Sequence, residues 1–332
     1  MPAMPSIPPP RPAADGRDWR RALRELDPAL ANLPAGAPAA HILASRGCWQ
    51  AAEVLYAELV RLQPAQPDLL RSYAQVLRLL GRGAAATAVR KRALEAEVAR
   101  FGMSDASRAE TAAFLAGLED GAPAPSKLPP AYVAMLFDHY DDYEQRMLDR
   151  LQYQAPQVLL AAIEAALGKT SRQLRILDLG CGTGLMGMAV RHLAARLDGI
   201  DLSPAMVERS RARGIYDRLD AGDLFGLLGP PGQVYDLVVA ADVCPYIGDL
   251  APFLGICAKA VAADGMLAFT VEQGEEGWSL GGTRRFVHAP AYVLATAHAC
   301  AWRMVSIGSA VLRTESGKPV AGSVVVLARG PA

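Results

Sequence analysis

Paired cysteines are missing from this sequence. Its 332 residues hold five, at Cys48, Cys181, Cys244, Cys257 and Cys300. No two form a CxxC pair, and no histidine stands at metal-ligand spacing. That excludes a disulfide framework and a zinc module, and it fits a reducing compartment. Charge of one sign is not in excess either: 34 Lys and Arg balance 34 Asp and Glu, so neither a long nucleic-acid surface nor an acidic tail is indicated. No run reaches the roughly 18 uninterrupted apolar residues that argue for a membrane-spanning helix. The Pro-rich start, Met1 to Pro12, lacks the apolar core of a secretory signal. The expectation is a cytoplasmic protein with no metal, no membrane and no nucleic-acid partner. At 52% hydrophobic the chain can bury a large core, and its length suggests roughly two domains of about 150 residues.

Residues 1–16 carry six prolines and read as a disordered lead-in. Residues 17–100 are rich in Ala, Leu and Arg with helical periodicity, and they contain a repeat. Gly47, Ala51 and Ala52 recur as Gly81, Ala85 and Ala86, and Leu43 recurs as Leu77; the offset is 81 − 47 = 34 residues. A glycine turns the chain and small alanines let two helices approach closely. The period resembles that of helix–turn–helix tetratricopeptide (TPR) repeats, with two units expected and a degenerate one around Trp19 to Pro34. Larger repeat positions are only partly kept, since Tyr56 is followed 34 residues on by Arg90; an ordinary helical bundle is the alternative. Residues 101–128, ending in a Gly- and Pro-rich stretch, read as a linker.

From residue 129 the pattern changes. Two helical stretches, 131–150 and 156–167, precede strand-like runs at 175–179, 197–201, 218–221, 235–240, 265–271, 302–312 and 323–328. Most alternate with helical segments, which points to a parallel sheet covered by helices on both faces. The last two are joined by the turn Glu315 to Pro319 with no helix between them, so they should form an antiparallel hairpin at the sheet edge.

The strongest chemical signal is the run Ile176 to Gly184, an apolar strand leading into Gly180, Gly182 and Gly184 at alternate positions and then a helix. Glycines there let the backbone turn sharply and approach a ligand with no side chain in the way. Asp201 follows at the end of the second strand, 201 − 184 = 17 residues on, where a carboxylate can accept two ribose hydroxyl hydrogen bonds. Ser203 should cap the next helix, with Pro204 at its first position. Asp223 and Leu224 end the third strand, where a carboxylate and a neighbouring N–H can read adenine. A fourth apolar strand ends in Asp242-Val-Cys-Pro-Tyr246.

Together these four segments resemble the class I S-adenosylmethionine-dependent methyltransferases, over roughly residues 130–330. The resemblance implies a Rossmann-like α/β fold: a seven-stranded sheet with an antiparallel final strand, here preceded by the TPR-like helical region, with S-adenosylmethionine as cofactor. It places Gly180, Gly182 and Gly184 under the cofactor's amino-acid part and Asp178 just beneath. Asp201 and Leu202 would meet the ribose, Asp223 and Leu224 the adenine, and Asp242 the methionine end. The whole chain resembles a narrower bacterial group of methyltransferases with N-terminal TPR repeats. The match is carried by the segment from Leu136 through Tyr143 and by Arg285 to His288 with Tyr292. It implies a lid helix in which Phe137, Tyr140 and Tyr143 face the cofactor; packing onto the sheet is the other reading of these aromatics.

Arg285, His288 and Tyr246 are the catalytic candidates. An imidazole can take a proton from an acceptor, and a guanidinium can hold a carboxylate or phosphate; helix capping or packing is the alternative for His288. The segment Asp242 to Tyr246 departs from the Asp/Asn-Pro-Pro-Tyr/Phe pattern of amino-methylating nucleic-acid enzymes. Cys244-Pro245 reverses the Pro-Cys order of cytosine C5 enzymes. The expected acceptor is therefore a small or carrier-bound molecule, with the helical region docking or dimerising. The alternatives are a protein acceptor captured by the repeats, or a non-catalytic scaffold.

Overall fold

The structure, a computed structural model, describes residues 18–30, 32–99, 103–119, 121–138, 151–168, 173–226, 233–315 and 317–330. The lead-in expected over 1–16 lies outside them. The chain divides into two compact units, Met1–Ala122 and Pro123–Ala332.

The described part of the first unit is helical. It comprises α1 (Trp19–Leu26), α2 (Ala37–Ser45), α3 (Trp49–Leu62), α4 (Pro67–Leu79), α5 (Gly83–Ala99) and α6 (Asp105–Glu119). Gly47 (φ +78°) and Gly81 (φ +75°) turn the chain between α2 and α3 and between α4 and α5, in a conformation that any Cβ would oppose. The core gathers Leu43, Ala52, Leu55, Leu70 and Leu77, all nearly or fully buried. The helix α6 corrects the expected linker over 101–128. Its Ala112, Leu115 and Ala116 form a buried stripe, and α6 packs against α5. Ser104, whose small polar side chain contributed to the linker reading, accepts a hydrogen bond from the Ser107 N–H at 3.2 Å, as an N-cap does.

In the second unit, α7 (Pro130–Asp138) and α8 (Ala155–Leu167) lead into the sheet. The strands and helices that follow are β1 (Leu174–Leu179), α9 (Leu185–Val190), β2 (Ala194–Asp201), α10 (Pro204–Ala212), β3 (Arg218–Ala221), β4 (Tyr235–Ala240), α11 (Leu250–Ala260) and β5 (Val261–Gln273). Then come β6 (Trp278–Leu280), β7 (Phe286–His288), α12 (Pro290–Ala299), β8 (Arg303–Glu315) and β9 (Lys318–Ala328). The parallel order is β3-β2-β1-β4-β5; β9 lies antiparallel to β5, and β8 antiparallel to β9. The expected final hairpin is present.

The strand count differs from seven: nine strands are described. The extra pair is β6 with β7, and β7 runs parallel to the last residues of β5. Three-residue strands among Gly277, Gly281 and Gly282 have no periodicity to read. The pair is held instead by packing: Trp278 and Phe286 meet edge to face at 5.5 Å, over Gly248, where a Cβ would come within 2.6 Å of Trp278.

Helices cover both faces of the sheet. On one, Leu177, Val238, Phe269 and Val325 pack with Phe253, Leu254 and Cys257 of α11. On the other, Ile176, Leu237, Val239 and Val326 pack with Leu159 and Ile163 of α8. Burial on both faces explains why the central strands read as continuous apolar runs rather than as alternating ones.

Candidate active site

The carboxyl ends of β1 to β4 surround a cavity of about 1080 Å³, counted with the solvent at its mouth. Gly180, Gly182, Asp201, Leu202, Asp223, Leu224, Asp242 and Tyr246 all line it, so segments far apart in sequence meet there. Asp178 and Gly184 do not line it. They form the support of the loop.

The glycine loop needs its glycines. Gly180, Gly182 and Gly184 have φ +66°, +54° and +90°. A Cβ on Gly180 would lie 2.5 Å from Val243 Cγ2, so the β1 loop and the loop after β4 are in close contact. Asp201 binds the loop to its neighbours. Its Oδ2 accepts the Gly182 N–H and its Oδ1 the Ser203 N–H, both at 2.8 Å. Its carbonyl accepts the Gly222 N–H at 2.8 Å. Ser203 caps α10 as expected, its Oγ accepting the Met206 N–H at 3.1 Å. Asp178 is fully buried, and burial pushes its carboxyl up to about 7.

Asp223 has close partners. Its Oδ1 accepts the Phe225 N–H at 3.0 Å and its Oδ2 pairs with Lys127 Nζ at 3.1 Å. That ammonium also stands 4.2 Å above the Phe225 ring. Lys127 belongs to a strap held against the chain after β4: Ser126 O accepts the Gly248 and Asp249 N–H groups, and the Leu128 N–H donates to Tyr246 O. Because Lys127 and Leu128 line the cavity, the unit that forms it begins before residue 129.

Arg285 and His288, expected at the reacting centre, do not line the cavity. The Arg285 guanidinium is committed to three protein acceptors: Glu272 Oε1, the Tyr246 hydroxyl at 2.7 Å and Asp242 Oδ1 at 2.8 Å. His288 is fully buried. Its Nε2 lies 2.9 and 3.0 Å from the carbonyls of Ile247 and Gly248, so Nε2 carries the hydrogen. Its Nδ1 has no partner, and the ring stacks on Tyr292 at 6.0 Å. Burial lowers the imidazole below its ordinary value, against the opposing effect of the two carbonyls. His288 thus packs between Tyr292 and the chain after β4. Of the three catalytic candidates, Tyr246 alone lines the cavity. Its ring meets Phe137 edge to face at 5.6 Å, and burial pushes its phenol up to about 12. Tyr140 and Tyr143 lie outside the described residues.

Arg313, absent from the sequence reading, is 2% exposed. It donates to Glu272 at 2.6 Å and Glu315 at 2.7 Å, and lies 3.4 Å from Asp242 Oδ1. A charge inside an apolar strand was the available signal, since buried charges must be paired. Lys127 and Phe225 carried no signal of their own.

Comparison with known proteins follows the same residues. The family model described as a methyltransferase domain matches residues 177–267. Methyltransferase-like protein 27 of Homo sapiens is 38% identical over 79 residues, 24% of this chain and 32% of that protein. A ubiquinone biosynthesis O-methyltransferase of Methylocella silvestris is 30% identical over 134 residues, covering 34% and 52%. A malonyl-[acyl-carrier protein] O-methyltransferase of Acetivibrio thermocellus is 32% identical over 100 residues, covering 30% and 35%. The match thus spans between a third and a half of these relatives' length. Among solved structures, the N-methyltransferase NodS of Bradyrhizobium japonicum with S-adenosyl-L-homocysteine has a TM-score of 0.46 at 18% identity, covering 59% of this chain and 96% of that one.

Proposed function

We propose that the chain is an S-adenosylmethionine-dependent methyltransferase whose acceptor is a small or carrier-bound molecule. The observation that carries the reading is Asp201, a carboxylate at the cavity wall fastened to the glycine loop by the Gly182 N–H, within a stretch that matches a methyltransferase domain. The residues fit the cofactor. At Gly182 no side chain stands over the loop backbone, and Asp201 and Asp223 line the same cavity. Gly180 and Gly182 would pass under the amino-acid part, with Gly184 and Asp178 as the support behind them. Asp201 with Leu202 would receive the ribose, Asp223 with Leu224 the adenine, and Asp242 the methionine end.

When bound, the cofactor supplies a methyl group already activated on a sulfonium. What the chain contributes is position and exclusion of water. Phe137, Tyr153, Tyr246 and Ile247 supply apolar wall. The Tyr246 hydroxyl accepts from Arg285, which leaves its own hydrogen for a ligand oxygen. With its phenol pushed up to about 12, it acts near neutral pH as a hydrogen-bond donor and not as a base. The ubiquinone-pathway and acyl-carrier relatives support a small or carrier-bound acceptor. The helical unit, whose glycine turns keep a 34-residue offset, is read as TPR-like and as a docking or dimerising arm.

Thermal denaturation with S-adenosylmethionine, S-adenosylhomocysteine and NAD tests the reading. Ligand at about 100 times its dissociation constant adds about 2.7 kcal/mol. A rise with the two sulfur ligands alone is expected; no rise, or a rise with NAD alone, defeats the assignment.

A further inference from the structure

The Arg285 guanidinium touches two parts of the cavity wall without lining it. One branch holds the Tyr246 hydroxyl at 2.7 Å, another holds Asp242 Oδ1 at 2.8 Å, and the third position is anchored on Glu272. Arg313 repeats the arrangement from β8, reaching Glu272 and the same Asp242 oxygen. Asp242 itself sits at φ +62°, a conformation few non-glycine residues adopt unless the surroundings hold them there. Its N–H is fixed on Thr270 Oγ1 at 2.9 Å. The neighbouring Val243 packs on Gly180, which puts Asp242 beside the glycine loop. Both guanidinium groups meet Oδ1, so Oδ2 is the oxygen left for a ligand. A buried fork with three acceptors sets geometry more narrowly than a point charge does.

We propose that Arg285 is a positioning residue. By clamping Asp242 and Tyr246 to Glu272 it presets the cavity wall at the glycine-loop end, where the amino-acid part of the cofactor would lie. This rests on the function proposed above.

The test compares calorimetric binding of S-adenosylhomocysteine and of 5′-methylthioadenosine, which has the nucleoside but lacks the amino-acid chain. Arg285→Lys keeps the charge and loses the fork. Glu272→Gln keeps one acceptor oxygen but removes the anchor's charge, and Glu272, like Arg285, does not line the cavity. Either folded variant should bind S-adenosylhomocysteine at least tenfold more weakly and 5′-methylthioadenosine within about twofold of the unaltered protein. Equal losses for both ligands, or no loss for either, would overturn the inference. Should Arg285→Lys not fold, Glu272→Gln decides by the same comparison; should neither variant fold, the network is structural and the inference fails. Failure of the unaltered protein to bind either ligand would instead remove the methyltransferase reading, and the inference with it.

Discussion

Tyr216 donates its hydroxyl hydrogen to Asp178 Oδ2 across 2.7 Å, and its ring fills the space that side chains at Gly187 and Gly199 would occupy. The carboxylate beneath the glycine loop is therefore held by a tyrosine 38 residues away, through two glycines that give the ring room. Asp178 Oδ1 has no partner and the group is fully buried. The chain thus carries an acid whose ionisation the fold opposes.

Stability should fall as pH rises through this group. Burial pushes folded Asp178 up to about 7, against 3.8 for an ordinary aspartate. Between those values the folded state binds the extra proton, so the free energy of unfolding decreases with rising pH. Asp178→Asn should flatten that slope between about pH 4 and 7 in urea titrations. Tyr216→Phe should cost about 1–3 kcal/mol by stripping a buried carboxylate of its donor; an unchanged denaturation midpoint would refute the pairing.

The opposite limb belongs to His288. Its folded imidazole lies below the ordinary 6.5 because it is buried. Unfolded chains gain the proton first, and stability is lost as pH falls below about 6.5. His288→Gln should lower the thermal midpoint at neutral pH and flatten this acid limb. Cofactor affinity should be unchanged, since His288 does not line the cavity; a large loss of affinity in a folded variant would return His288 to the site.

Asp201→Ala should weaken S-adenosylhomocysteine binding by about 1.5–3 kcal/mol, the range for hydrogen bonds to a charged group. Because Asp201 also holds the Gly182 and Ser203 amides, the midpoint of thermal unfolding should fall as well. Calorimetry at matched fractions folded separates the two effects. Unaltered affinity would displace Asp201 from the ribose.

Two helical glycines should behave in opposite ways. In α9 a Cβ on Gly187 would overlap the Tyr216 hydroxyl, whereas in α11 a Cβ on Gly255 would meet nothing within 4 Å. Gly187→Ala should destabilise by about 1–3 kcal/mol through overpacking. Gly255→Ala should stabilise by about 0.5–1 kcal/mol, the helix preference for alanine. Chemical denaturation of both variants measures the difference in sign.

What could be read from the sequence alone is what nearest neighbours impose. The apolar run into Gly180, Gly182 and Gly184, the Ser203–Pro204 helix start and the helix-free last turn are local patterns, each with one low-energy backbone answer. They located β1, α10 and the β8–β9 hairpin, and with them Asp201 and Asp223. Tertiary structure alone decided the fate of the long polar side chains. Arg285 and His288 lie three residues apart, and both looked reactive. Yet the fold turns Arg285 onto Glu272, Asp242 and Tyr246, and seals His288 beneath the chain after β4. Lys127 reaches Asp223 from 96 residues away. Arg313 meets Glu272 from 41 residues away. Desolvation makes the buried Arg285 and Arg313 find carboxylate partners, and which partner is available depends on strand order and register, which no local stretch of sequence contains.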